Sequence, residues 1–292
     1  MSKGFDFLNI DLSKGLNNPP AFILEFPYEV SENYSPVLKK YWGDVIFNPV
    51  DFFRAVQQKA KTSDAQAICI YFNIQEPQES EKDSILLKCT DFFKSVLKIC
   101  DFPLMVRFSG HSKWDIELAG AILPICDREL IISPIQAANY EELIKIAKAA
   151  KYNHHFVLRT PIDINLTKEL NILSIDSGIE ANSILIDPEM GCIGYGIDYG
   201  YSIIERICLV RKDGDKMLNM PIIVCAGEES YKAKESKSAD FSSSWGELTQ
   251  RAKMWEISTA SSLIAAGANV VVMWHPECIE VLKNQHSEVL CH

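Results

Sequence analysis

The densest cluster of residues able to meet a ligand is Gly191-Cys192-Ile193-Gly194-Tyr195-Gly196. Glycine lets a backbone approach a bound group closely, and a helix starting just beyond would offer it free N–H groups. The order G-x-x-G-x-G is not a dinucleotide fingerprint, and a tight turn with no ligand accounts for it equally well. Tyr195, Tyr199 and Tyr201 stand beside it; tyrosine favours interfaces, yet Tyr201 shares a helical stripe with Ile197, Ile204 and Cys208 and reads as core. Asp187-Pro188-Glu189 brings two carboxylates together, able to cap loop amides or to move a proton, but nothing in the sequence supplies their partner. Trp274-His275 closes the last apolar run, and a histidine there is as much a hydrogen-bonded support as a reactive group. His154 and His155 precede an apolar run and read as structural.

Metal chemistry finds little support. Nine cysteines are present, but the closest pair, Cys89 and Cys100, is eleven positions apart. Zinc sites and iron–sulfur clusters usually start from two ligands on one turn, such as C-x-x-C. Most of these thiols lie in apolar runs, as in Ile68-Cys69-Ile70 and Val224-Cys225, and read as small buried hydrophobes. The odd count suggests no disulfide framework, and so many thiols suit an anaerobe.

These residues need a scaffold, and its pattern is regular. Apolar runs recur at Phe22–Phe26, Ala67–Phe72, Leu104–Phe108, Leu130–Ile132, Phe156–Leu158, Ile184–Ile186, Ile222–Val224 and Val270–Met273. Continuous apolar runs of this length are the mark of strands buried on both faces. Helical patterns fill the gaps, opened by Asn48-Pro49, Ser112 to Asp115, Asn139 to Glu142 and His275-Pro276-Glu277. Eight strands alternating with eight helices predict a single (β/α)8 TIM barrel over 21–292, with residues 1–20 closing its bottom. Functional groups then belong in the loops after the strands, which puts Thr160, Asp187, Gly227 and His275 on one rim. The seventh loop, Gly227-Glu228-Glu229, would repel the phosphate that sugar-phosphate barrels bind there.

A net charge of −10 and a pI near 5.2 argue against a general nucleic-acid or anionic-membrane binder. No run approaches the roughly 18 apolar residues of a membrane span, and no signal-peptide core follows Met1, so a cytoplasmic protein is expected.

An ordered string of motifs carries a family resemblance: Pro161-Ile162-Asp163-Ile164-Asn165, Asp187-Pro188, Gly194-Tyr195-Gly196-Ile197-Asp198-Tyr199, Met217 to Pro221, Lys232-Ala233-Lys234-Glu235, Trp245-Gly246 and His275-Pro276-Glu277. The chain resembles the small subunit of the corrinoid iron–sulfur protein, equivalent to the delta subunit of the acetyl-CoA decarbonylase/synthase complex. The likeness is dense from about 159 to 277 and looser from about 20 to 158. The resemblance implies a (β/α)8 barrel in a heterodimer with a larger subunit, which carries a [4Fe–4S] cluster and most contacts to a corrinoid (cobalamin) at this barrel's mouth. It also implies transient meetings with a methyl-pterin methyltransferase and with acetyl-CoA synthase, within the reductive acetyl-CoA pathway of carbon fixation. On this chain it implies no iron–sulfur cluster and no catalytic residue. The expected corrinoid-facing residues are Gly191, Gly194, Tyr195, Gly196, Trp274 and His275, joined by Asp163 and Asn165. Three positions depart from the family's habit: Trp274 stands where arginine is usual, Phe108-Ser109-Gly110-His111 replaces Gly-Cys-Gly-Asn, and Met190 and Cys192 replace small residues. Two rival readings are a free-standing pterin-dependent methyltransferase, recruiting Asp163, Asn165 and Asp187, and a divergent scaffold paralogue.

Overall fold

A computed structural model describes residues 5–290. Eight parallel strands form the sheet: β1 (Ala21–Pro27), β2 (Ala67–Tyr71), β3 (Leu104–Arg107), β4 (Leu130–Ile135), β5 (His155–Arg159), β6 (Ile184–Asp187), β7 (Ile223–Val224) and β8 (Val270–Met273). Their order is β6-β5-β4-β3-β2-β1-β8-β7, and a parallel bridge between Ile186 and Ile222 brings the two ends together. The barrel expected from the eight apolar runs is therefore present, closed but for that thin seam.

The outer layer comprises α1 (Pro36–Trp42), α2 (Pro49–Thr62), α3 (Lys82–Ile99), α4 (Ser112–Ile122), α5 (Tyr140–Ala149) and α6 (Ile164–Asp176). It continues with α7 (Ile197–Lys212), α8 (Ala226–Lys232), α9 (Lys234–Lys237), α10 (Leu248–Ala266) and α11 (Pro276–Leu290). Eight of these follow the strands in the expected ring; α1, α8 and α9 are short additions on the loops after β1 and β7.

Alternation along each strand sorts the core in two. Phe22, Leu24, Ile68, Ile70, Val106 and Ile132 face the helices, whereas Ile23, Ala67, Met105, Ile131, Val157 and Leu185 fill the barrel. Phe5, Leu8 and Ile10 pack into that inner cluster from the end opposite the strand C-termini. β4 carries Pro134, which has no N–H to give, and its ladder with β5 shifts register between Ile132 and Ile135.

Helix starts follow the sequence at α2, where Asn48 Oδ1 accepts the amides of Val50 and Asp51 ahead of Pro49. At α4 the capping pair expected from Ser112 and Asp115 does not form. His111 stands at the cap, and the Asp115 carboxylate turns back to accept the amides of Ser109 and Gly110 and the Ser109 hydroxyl. Two loop amides and a hydroxyl outcompete one helical N–H for a buried carboxylate. Asn139 likewise turns outward from α5, its Oδ1 accepting the Gln136 amide.

Candidate functional site

The last inward-facing position of most strands is polar. Glu25, Arg107, Ser133, Arg159 and Asp187 have the same parity as the apolar barrel residues two places earlier, so each points up the barrel axis into its mouth. Unpaired charges buried there would cost several kcal/mol each, and the structure pairs them. Arg107 is fully enclosed: Nε and Nη2 donate to the two Glu25 oxygens at 2.7 and 2.6 Å, Nη1 donates to Glu228 Oε2 at 2.7 Å, and the guanidinium lies 3.4 Å from the Tyr71 ring centroid. Burial works against its charge, but the two carboxylates outweigh it and hold the guanidinium more basic than usual. Burial also opposes the ionisation of Glu228, yet Arg107 and Lys232 bring its carboxyl down to about 2.

Arg159 makes the second pair, donating from Nε to Asp187 Oδ2 at 2.7 Å, with Nη2 3.8 Å from Cys225 Sγ. These groups, with Ser109, Met190, Glu189, Glu229 and Lys232, line a polar cavity of about 420 Å³. Two nucleophile types touch carboxylates here, and neither has a free base. Cys69 donates to Glu25, which Arg107 and Trp274 already engage, and burial pushes the thiol far up so that it keeps its proton. Ser109 donates to an Asp115 carboxylate that also accepts two backbone amides.

Beside the mouth, Glu256 on α10 holds the β8 loop in place. Its Oε1 accepts the Trp274 amide at 2.6 Å and the His275 amide at 3.3 Å. Burial raises the Glu256 carboxyl to about 7. Trp274 donates its indole N–H to Glu25 Oε1 at 2.6 Å and stacks on Tyr231, ring centroids 6.0 Å apart.

The structure places the expected site residues as follows. Thr160, Asp187, Gly227 and His275 do share the rim: the Thr160 amide bonds the Asp187 carbonyl, and Gly227 lies against the Trp274 backbone just before His275. His275 itself is buried; its Nδ1 accepts the Glu277 amide at 3.3 Å, its ring lies 4.4 Å from Tyr41, and burial lowers its basicity to about 4. It is the cap of α11, with no surface to offer a ligand. Asp163 caps α6 through the amides of Asn165 and Leu166, and Asn165 lies exposed on that helix's first turn. Asp163 and Asn165 thus sit at the start of α6, while Asp187 is engaged by Arg159.

The glycine turn has local causes. A Cβ on Gly191 would sit 1.9 Å from the Tyr195 carbonyl oxygen, and Gly194 and Gly196 take φ of +79° and +88°. α10 fastens the turn, Trp255 Nε1 donating to the Ile193 carbonyl and Thr259 accepting the Ile193 amide. Tyr195 donates to Glu235 and stays half exposed on the lip.

Glu25, Arg107, Arg159 and Glu256 escaped the sequence reading. A signal was present for three: Leu24-Glu25-Phe26, Val106-Arg107-Phe108 and Leu158-Arg159 each set one charge near the end of an apolar run at inward parity. Glu256 shows no such mark, because its burial depends on how α10 meets the β8 loop.

Among the described residues no group of three or more His, Cys, Asp or Glu side chains is arranged to hold a metal, and the eight described cysteines are free. No described helix is long and apolar enough to cross a membrane.

Comparison with known proteins gives a consistent result. The family model described as CO dehydrogenase/acetyl-CoA synthase delta subunit matches residues 14–284. The acetyl-CoA decarbonylase/synthase complex subunit delta of Methanopyrus kandleri is 27% identical over 267 residues, covering 91% of this chain and 64% of that protein. The subunit delta of Archaeoglobus fulgidus is 28% identical over 253 residues, covering 84% of this chain and 54% of that protein. The chain thus spans roughly three-fifths of the length of such relatives. In fold it is similar to the 7,8-dihydropteroate synthase of Vibrio fischeri, with a TM-score of 0.61, 12% identity, and coverage of 94% of this chain and 95% of that one. The Yersinia pestis dihydropteroate synthase with a sulfonamide drug gives a TM-score of 0.59 at 13% identity, covering 96% of each chain.

Proposed function

We propose a function from one premise: this chain belongs to the CO dehydrogenase/acetyl-CoA synthase delta subunit family. It acts as a barrel subunit of such a complex. Its mouth seats against a corrinoid held mainly by a larger, cluster-bearing subunit, and shields it while a methyl group passes from a methyl-pterin to acetyl-CoA synthase. When bound, the corrinoid supplies the cobalt that carries the methyl group.

The observation that carries this reading is the state of the mouth. Its buried charges are engaged with one another, which suits a covering surface rather than a reaction centre. The residues fit such a disc. A polar cavity of about 420 Å³ is too small to admit a macrocycle, so the ring would lie across the lip. Exposed Ile162 and Tyr195 on the loops after β5 and β6, with Leu166 and Tyr199 in the first turns of α6 and α7, would offer apolar contact, while Glu229 and Lys232 at the mouth would meet the amide fringe of a corrinoid. Trp274 contributes indirectly, through its bond to Glu25.

The test is anaerobic co-sedimentation of this chain with the corrinoid-bearing larger subunit, followed at the corrinoid's absorbance. The expected result is a complex whose corrinoid spectrum differs from that of the larger subunit alone, and which Tyr195→Asp weakens at least ten-fold. No complex, or a complex with the same spectrum and no effect of Tyr195→Asp, overturns the reading. Methyl-pterin turnover by the lone chain would replace it with a methyltransferase.

A further inference from the structure

The two mouth arginines look alike in sequence and differ in what they leave free. Each Arg107 nitrogen donates to a carboxylate, so none of its three nitrogens lacks a partner. Arg159 donates from Nε to Asp187 and reaches Cys225 with Nη2, while its Nη1 makes no hydrogen bond among the described residues. A guanidinium has five N–H donors, and Nε shares one edge with Nη2. Asp187 at the end of β6 and Cys225 just past β7 thus occupy that edge, and the Nη1 end is left uncommitted.

A second cavity also borders Arg159. A groove of about 630 Å³ runs outward between the loops after β3, β4 and β5, and Arg159 lines it as well as the mouth cavity. Its walls are mostly apolar: Ala137, Ala138, Pro161, Leu166, Leu170 and Leu173. Glu169 is the one carboxylate on it, whereas the mouth side carries Asp187, Glu189, Glu228 and Glu229. An anion therefore meets Arg159 against far less repulsion from the groove than from the mouth.

We propose that this groove is a binding site for a small organic acid, its carboxylate paired with the Nη1 end of Arg159 and its apolar body lying between the β4 and β5 loops. A cation already held by Asp187 is pre-oriented, and a carboxylate on its open end completes its donors without displacing that pair. The apolar walls select for a body attached to the acid, which a bare inorganic anion lacks.

The experiment is calorimetric titration of the whole chain with benzoate, benzyl alcohol and inorganic phosphate. Benzoate binds saturably; benzyl alcohol and phosphate bind at least ten-fold more weakly. Arg159→Met weakens benzoate at least ten-fold, and Arg159→Lys restores part of the loss. Because Arg159→Met leaves Asp187 unpaired and can disturb folding, Leu166→Glu on the exposed groove lip serves as a second variant, expected to weaken benzoate as strongly. Lys232→Ala, on the mouth side, changes it less than two-fold. Absence of saturable benzoate binding overturns the site, as does binding indifferent to both Arg159→Met and Leu166→Glu. Phosphate binding as tight as benzoate overturns the organic-acid assignment. No partner subunit or corrinoid enters the titration, so its outcome is separate from that of the docking experiment.

Discussion

Glu228 and Glu256 are two carboxyls in buried positions with opposite responses to pH, because one has cations beside it and the other has backbone amides, the Cys278 thiol and Tyr231 but no cation to offset its burial. For Glu228 the folded value is depressed to about 2, so its stabilisation is present above the unfolded value of roughly 4.3 and is lost as pH falls below it. For Glu256 the folded value is raised to about 7, so the unfolded chain gives up this proton first. Its contribution falls steadily as pH rises from roughly 4.3 to 7 and is constant above. Glu256→Gln keeps an oxygen for the Trp274 and His275 amides and removes the titration. Urea unfolding of both proteins is expected to show the variant gaining on the wild type between pH 5 and 7.5, by on the order of 3 kcal/mol. A pH-independent difference between them would mean that Glu256 does not titrate in this range. Glu256→Leu leaves the Trp274 amide without its acceptor and is expected to be the less stable of the two substitutions.

At the scale of elements, the β6–α7 turn is held by contacts that leave no room for side-chain variation. Gly191→Ala places a methyl group on the Tyr195 carbonyl, so the turn must open before α7 can start. A loss of about 2 kcal/mol or more is expected in unfolding experiments, together with increased exposure of Cys192 to thiol reagents. An unchanged stability would mean that the turn adapts freely. The α6 cap is milder: Asp163→Ala removes one acceptor for two amides and is expected to cost about 1 kcal/mol, with the mouth ion pairs untouched. The pair compares a residue that shapes the lip with one that caps a helix.

For the whole molecule, the closed end of the barrel is as consequential as the open one. Phe5 is fully buried, pairs with Ile10 in a small antiparallel bridge, and stacks edge-on against His155 at 4.8 Å between ring centroids. That packing covers the bottom of an inner core to which every strand contributes, Ala67, Val157, Leu185 and Ile223 among the side chains. Phe5→Ala empties a site that the strands cannot collapse into, because their ladder fixes the barrel radius; the expected cost is roughly 3–5 kcal/mol. Thermal unfolding should remain a single transition, since the plug and barrel share one core. Separate melting of two parts, or a loss below about 1 kcal/mol, would show the N-terminal segment to be dispensable.

The number, place and parallel direction of the strands were legible in the sequence, because strands covered on both faces must be apolar throughout and βαβ spacing has a floor. The rim position of Thr160, Asp187, Gly227 and His275 followed from the fold alone, and so did the N-terminal cap of α2 at Asn48. The roles of the rim residues were not legible. His275 and Asp163 lie where ligand-binding groups lie, and each completes a helix start, which local hydrogen bonding decides. The motif string and the family match settle kinship, while the chemistry of the mouth rests on pairings between residues 82 and 121 positions apart, Arg107 with Glu25 and with Glu228. No local pattern encodes which buried charge meets which. Only closure of the barrel sets these side chains in one layer, where the cost of an unpaired charge gives every Arg107 nitrogen a carboxylate and pairs Arg159 with Asp187 through one edge.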